Sequence, residues 1–122
     1  MSQTKEQALR AYFSAQTEAL SAREQVLSAD DRKDEAIFAK VQANVYNIFA
    51  TVLTVAVKTC PDEEAAGRFF RQKLEQLPAN WRTSLERAKQ YNDGEKIALE
   101  TVKLEAAADI LAAFERIWGV EA

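Results

Sequence analysis

Histidine is absent from this chain, and cysteine, glycine and proline are rare: the 122 residues include one Cys, three Gly and two Pro. Without histidine the chain lacks the usual general base and the usual nitrogen ligand of zinc. Nucleophilic pairs of the Ser–His and Cys–His kind are therefore excluded within one chain. The single cysteine, Cys60, excludes an internal disulfide. Because so few residues favour turns, we expect long elements, and long elements are typical of helices.

A surplus of either charge is also missing. The 16 basic and 19 acidic side chains give a net charge of −3, and both signs are spread over both halves of the chain. A protein that binds DNA or RNA needs a basic surface to neutralise phosphates. We therefore expect no nucleic-acid partner.

Long hydrophobic runs are missing as well. The N-terminal stretch MSQTKEQALR has no apolar signal core. The longest apolar-rich run covers residues 45–57 and is interrupted by Asn47, Thr51 and Thr54, whereas a membrane-spanning helix needs about 20 residues. We expect a cytoplasmic protein that does not bind membranes.

The residues that are present describe an ordinary globular chain. The apolar fraction is 48% and the charged fraction is 29%, which is typical of a folded domain and unlike a disordered one. The length suits one core. We expect a single domain over residues 1–122.

Residues 45–57 predict a helix that is apolar over most of its surface. At about 100° per residue, the apolar side chains cover an arc of about 220°. A surface helix needs only about 100°, so this helix is expected to pack on more than one side, at the centre of the fold. The apolar arc consists of Tyr46, Ile48, Phe49, Val52, Leu53, Val55, Ala56 and Val57.

A narrow polar seam lies opposite this arc, within about 80° of the helix circumference. Most of its members are small and uncharged, whereas the other predicted helices carry many charged residues. The polar seam consists of Asn44, Asn47, Thr51, Thr54 and Lys58.

Two helices are predicted in the first half of the chain, over residues 4–27 and 31–58. Between them Ser28 and Asp31 have the spacing of a capping box with a shorter acid, and further acids follow in the next turn. No Gly or Pro enforces this break, so one continuous helix over residues 4–58 stays open as an alternative.

Proline and glycine mark the boundaries in the second half. Pro61 followed by three acids predicts a helix start, and Pro78 predicts its end, because proline cannot continue the backbone hydrogen bonds of a helix. These signals predict a short helical hairpin, with helices over residues 61–77 and 79–91.

The last predicted helix covers residues 95–118. Its apolar residues recur every seven positions, and Gly119 suits the left-handed position after a helix end. The repeating residues are Ile97, Leu104, Leu111 and Trp118. Three heptads are borderline for a coiled coil, and a bundle helix gives the same pattern, so we favour the bundle. The predicted fold is all-α, an antiparallel bundle of four to five helices made of three long helices plus the short hairpin.

No group of residues indicates catalysis. Cys60 has no second cysteine or histidine beside it, and Glu100, Glu105 and Asp109 are expected on solvated faces, since burying unpaired carboxylates is costly. No phosphate-binding or dinucleotide motif is present. We therefore expect no enzyme, no catalytic residue, no cofactor and no metal site.

The polar seam is the one candidate site. It is either covered by the hairpin of the same chain, which short loops favour, or it is an interface for a second copy or a partner helix. We expect a non-catalytic interaction or oligomerisation protein that forms a homodimer or binds a protein partner. The alternative is a helical module that encloses a small apolar ligand between the second and last helices, with Asn47 or Thr51 orienting a polar head.

Overall fold

The computed structural model describes residues 4–119, and within this range the chain is all-helical. Four helices follow one another: α1 (Lys5–Ala29), α2 (Lys33–Thr59), α3 (Glu63–Gln90) and α4 (Gly94–Trp118). The predicted all-α bundle is confirmed at this level, with four helices of similar length.

Side chains at the helix starts satisfy backbone N–H groups that have no partner inside the helix. Thr4 and Gln7 form a capping box, in which each side chain accepts a hydrogen bond of 3.0 Å from the other residue's backbone N–H. Asp62 accepts from Ala65 at the start of α3 over 2.8 Å, and Asp93 caps α4 in the same way. These caps define where the helices begin.

The connection between α1 and α2 contains neither glycine nor proline. It turns because Asp31 adopts a left-handed backbone conformation with φ 60°, which aspartate tolerates better than most residues. The backbone N–H of Arg32 then donates to the carbonyl of Leu27 over 2.8 Å. The alternative of one continuous helix is therefore wrong, although no side-chain cap forms at Arg32.

The prediction of a helical hairpin broken at Pro78 is wrong. Residues Glu63–Gln90 form one helix with Pro78 in its interior. The proline lacks the N–H that would bond the carbonyl of Leu74, but its ring is buried, and Leu74 and Ala88 on either side are buried too. Burial of apolar side chains along both halves outweighs the local preference for a break.

Replacing Pro78 with alanine is expected to raise the free energy of unfolding by about 1–2 kcal/mol. A proline inside a helix costs about 3 kcal/mol relative to alanine. The variant also loses the stabilisation from the buried proline ring, which reduces the net gain. Urea unfolding followed by circular dichroism measures the change. A destabilised variant would contradict a helix that continues through residue 78.

The core is held together by α2 and α4, each of which packs against the three other helices. Phe70 of α3 lies at its centre, with ring centroids 6.3 Å from Phe13, 5.9 Å from Phe49 and 5.0 Å from Phe114. All four rings are buried. One aromatic cluster therefore joins the four helices.

Gly119 ends α4 as the sequence predicts. It has the left-handed φ of 64°, and its N–H donates to the carbonyl of Glu115 over 3.1 Å.

One end of the bundle brings together Thr4, Val57, Asp62 and Trp118, which line a common depression.

Candidate interaction surface

The polar seam lies on the outside of the protein. Asn44, Asn47, Thr51 and Lys58 are exposed and Thr54 is half-buried. The segment expected to cover the seam instead contacts the other side of α2, where Phe49 meets Phe70 and Trp81.

The seam hydroxyls are bonded within α2. Thr51 Oγ1 donates to the carbonyl of Asn47 and Thr54 Oγ1 donates to that of Ala50, both over 3.1 Å. Their donor capacity is therefore used locally, while their oxygens can still accept a hydrogen bond. The middle of α2 therefore presents an uncharged polar surface.

Branched aliphatic residues lie beside the seam and are also exposed. Ile37 is 50% exposed, and Ile48 and Val55 are each 41% exposed. Ile48 and Val55 belong to the apolar arc that the sequence predicts to be internal, as does Val57, which is 37% exposed, so that prediction is wrong for these three residues. The neighbouring helices cover the side of α2 that carries Phe49 and Leu53, and the edge of the arc stays outside.

Three of these exposed residues, together with Val41 and three members of the seam, form a regular pattern, which we call the α2 stripe. Its members are separated alternately by four and three positions, the spacing with which one helix packs along another in a coiled coil. Four of its members are β-branched aliphatic residues, and three of these, Val41, Ile48 and Val55, are spaced by seven. The α2 stripe consists of Ile37, Val41, Asn44, Ile48, Thr51, Val55 and Lys58.

The carboxylates considered for catalysis do not come together. The expected solvated face is wrong for Glu100, which is buried with Oε1 2.5 Å from Lys103 Nζ, whereas Glu105 and Asp109 are exposed. Lys103 in turn lies 5.3 Å from the ring centroid of Trp81. Over residues 4–119 no group of three or more acidic or Cys side chains is placed to hold a metal ion.

Among residues 4–119, the acid with a strongly raised pKa is Tyr46, at the contact of α1, α2 and α4. Burial raises the pKa of its hydroxyl above the ordinary value, and the hydrogen bond with Tyr12 over 3.4 Å adds to the rise. Tyr12 also donates to the carbonyl of Asp109 over 3.5 Å. The hydroxyl of Tyr46 therefore stays protonated at neutral pH.

The depressions between α2 and α4 do not include the seam. One of about 350 Å³ is lined by Ile37, Phe38 and Leu99 among others, and one of about 400 Å³ is lined by Val41, Leu99 and Lys103 among others. Asn47 and Thr51 line neither depression. The geometry therefore gives no support to a ligand held between these helices by a seam residue.

α2 also meets a simple test for a membrane span. It has 27 residues, and its most apolar window of 18 residues has a mean hydropathy of 1.2 and is 33% buried. The core helix of a soluble bundle passes the same test. Because α2 packs against three other helices, part of its apolar surface belongs to the core of the bundle.

The chain was compared with protein families, curated proteins and solved structures. No protein-family model matches the chain, and no match was found among curated proteins or solved structures.

Proposed function

We propose that this protein is a non-catalytic, cytoplasmic oligomerisation module, an antiparallel helical bundle that forms a homodimer through the α2 stripe. The observation that carries the proposal is the exposure of Ile37, Ile48 and Val55 on one regularly spaced face of α2.

The contacts between helices support the antiparallel arrangement. The ring of Trp118, at the end of α4, packs on Gly67, near the start of α3. Further along, Trp81 of α3 contacts Lys103, which precedes Trp118 by about four turns. The order of these contacts runs in opposite directions along the two helices.

The α2 stripe has the composition of a helix-packing surface. Burying a branched aliphatic side chain completely is worth about 1.5–3 kcal/mol, and Ile48 and Val55 are already more than half-buried. A second helix would remove the remaining apolar surface from water. Asn44 and Thr51 alternate with these residues and are short enough for close approach, and a polar residue at such a position favours one register over others.

Replacing Ile48 with glutamate is expected to weaken dimerisation by about 100-fold or more. Each dimer would bury two carboxylates where it now buries two isoleucines, and an unpaired buried carboxylate costs several kcal/mol. Size-exclusion chromatography with light scattering should show a wild-type dimer at high micromolar concentration and a monomeric variant. Circular dichroism should show unchanged helix content.

Val26→Glu is the matched control, because Val26 is a branched aliphatic residue on α1 that is 61% exposed. This variant should stay dimeric. A wild-type monomer at high micromolar concentration would contradict the proposal, as would a dimer that survives Ile48→Glu. Flotation of the wild-type protein with lipid vesicles would instead indicate that the exposed face of α2 binds membranes.

A further inference from the structure

We infer that the second copy places its α2 antiparallel to the first, with Asp34 of each copy facing Lys58 of the other. This inference rests on the proposed function and defines the partner surface and its register. It follows from the charges at the two ends of the α2 stripe.

Asp34 continues the stripe by one step before Ile37, and Lys58 is its last member. Both are exposed, and neither makes an ion pair with any residue in the range 4–119. At 1.5 Å per residue they lie about 36 Å apart along α2. The stripe therefore has a negative charge at its first end, Asp34, and a positive charge at its last end, Lys58, and neither is paired within residues 4–119.

An antiparallel second copy pairs both charged ends of the stripe in one register. With Asp34 opposite Lys58, Ile37 falls opposite Val55, and the remaining members follow in order. Val41 then meets Thr51, and Asn44 meets Ile48. Each of these residue pairs occurs twice in the dimer, because the two-fold axis repeats every contact.

The same register keeps the flanking charges apart. The axis passes close to residue 46, so the amides of Asn47 in the two copies lie near each other and can exchange hydrogen bonds. Lys40, exposed at the edge of the stripe, lies near Thr54 of the second copy. Lys40 therefore faces an uncharged residue of the second copy and not another lysine.

A parallel pair in register would have the opposite electrostatics. Asp34 would face Asp34 and Lys58 would face Lys58, and both contacts are repulsive. Asn44 would face Asn44 in the middle, and the apolar residues would pair with themselves. Since the apolar area is similar in the two arrangements, the end charges select the antiparallel one.

Charge reversal distinguishes the two arrangements. Asp34→Lys and Lys58→Asp alone should each weaken the dimer roughly tenfold at low salt, because each turns two attractions into two repulsions. The double variant Asp34→Lys/Lys58→Asp should restore wild-type affinity. In a parallel dimer the single and double variants would all resemble the wild type, since like charges face each other in every one of them.

Glu18→Lys is the control for net charge, because Glu18 is exposed on α1 and the change in charge equals that of Asp34→Lys. Its dimerisation constant should not change. If the wild type dimerises through Ile48 but the double variant shows no rescue, the antiparallel register is overturned while the proposed function stands. A monomeric wild type overturns both.

Spin labels provide a second readout that does not depend on the strength of the ion pairs. In a Cys60→Ser background, Thr59→Cys labels should be about 40 Å apart in the antiparallel dimer, because each lies near the opposite end of the stripe. Asn47→Cys labels should be within about 20 Å, given helix axes 8–10 Å apart. Short distances at both positions would indicate a parallel pair and overturn the inference.

Discussion

Replacing Phe70 with alanine is expected to lower the free energy of unfolding by about 3–5 kcal/mol, the usual range for a fully buried aromatic residue. Phe70 is 0% exposed and contacts the rings of Phe13, Phe49 and Phe114, one from each of the other helices. Its removal leaves a cavity that no single helix can fill by moving. A domain of this size has a total stability of about 5–15 kcal/mol, so the variant should be marginally folded at room temperature.

Urea unfolding followed by circular dichroism measures this loss. Phe69→Ala is the matched control, because Phe69 precedes Phe70 in the same helix but is only half-buried, with Lys73 Nζ 5.8 Å from its ring centroid. The control should lose about 1 kcal/mol. Equal losses at the two positions would show that Phe70 does not occupy the centre of the core.

The second large effect is expected at Gly67, where alanine should destabilise the protein by about 2 kcal/mol. A Cβ atom added at Gly67 would overlap Nε1 of Trp118 and lie 2.8 Å from its Cδ1. The indole is buried and stacks on Phe114 with centroids 5.5 Å apart, so it cannot turn aside without losing that contact. Overpacking of this kind costs about 1–3 kcal/mol.

Gly94→Ala provides the control, since nothing lies within 4 Å of a Cβ at Gly94. Alanine is favoured over glycine inside a helix by about 1 kcal/mol, so a Gly67→Ala variant more stable than the wild type would show that only helix propensity acts there. That outcome would contradict the packing of Trp118 on α3. The urea midpoints of the two variants decide between these cases.

Local signals predicted much of the helical architecture. The 3.6-residue period identified α2 and α4, and Gly119 marked the end of α4 because only a residue that tolerates a left-handed backbone suits that position. The break before α2 was predicted from its acidic residues, although the turn itself depends on the left-handed conformation of Asp31.

Pro78 shows where local signals are insufficient. Proline removes one hydrogen bond and crowds the preceding turn, which predicts a break when the segment is considered alone. The cost is a few kcal/mol, and it is offset when the residues before and after the proline are both held against the same core. A single sequence does not show that support, because it comes from contacts with other helices.

The candidate site was partly predictable for a similar reason. The angular positions of its residues on α2 predict the polar seam directly, but they also predict that Ile48 and Val55 are internal, whereas both are exposed. The alternating spacing of four and three positions from Ile37 to Lys58 is present in the sequence and is the signal that would have identified them. This spacing is difficult to recognise because Ile48 and Val55 also continue the apolar arc, of which the neighbouring helices cover only a part.

The sequence by itself determined that this protein is all-helical, that α2 is apolar over an unusually wide arc, and that one narrow uncharged seam runs along it. These properties depend on residue type and helical period, which are local. Only the tertiary structure decided that the seam faces outward with Ile37, Ile48 and Val55 beside it. That outcome depends on which side of α2 its three neighbours occupy, and their placement is set by the packing of the whole core rather than by any one helix.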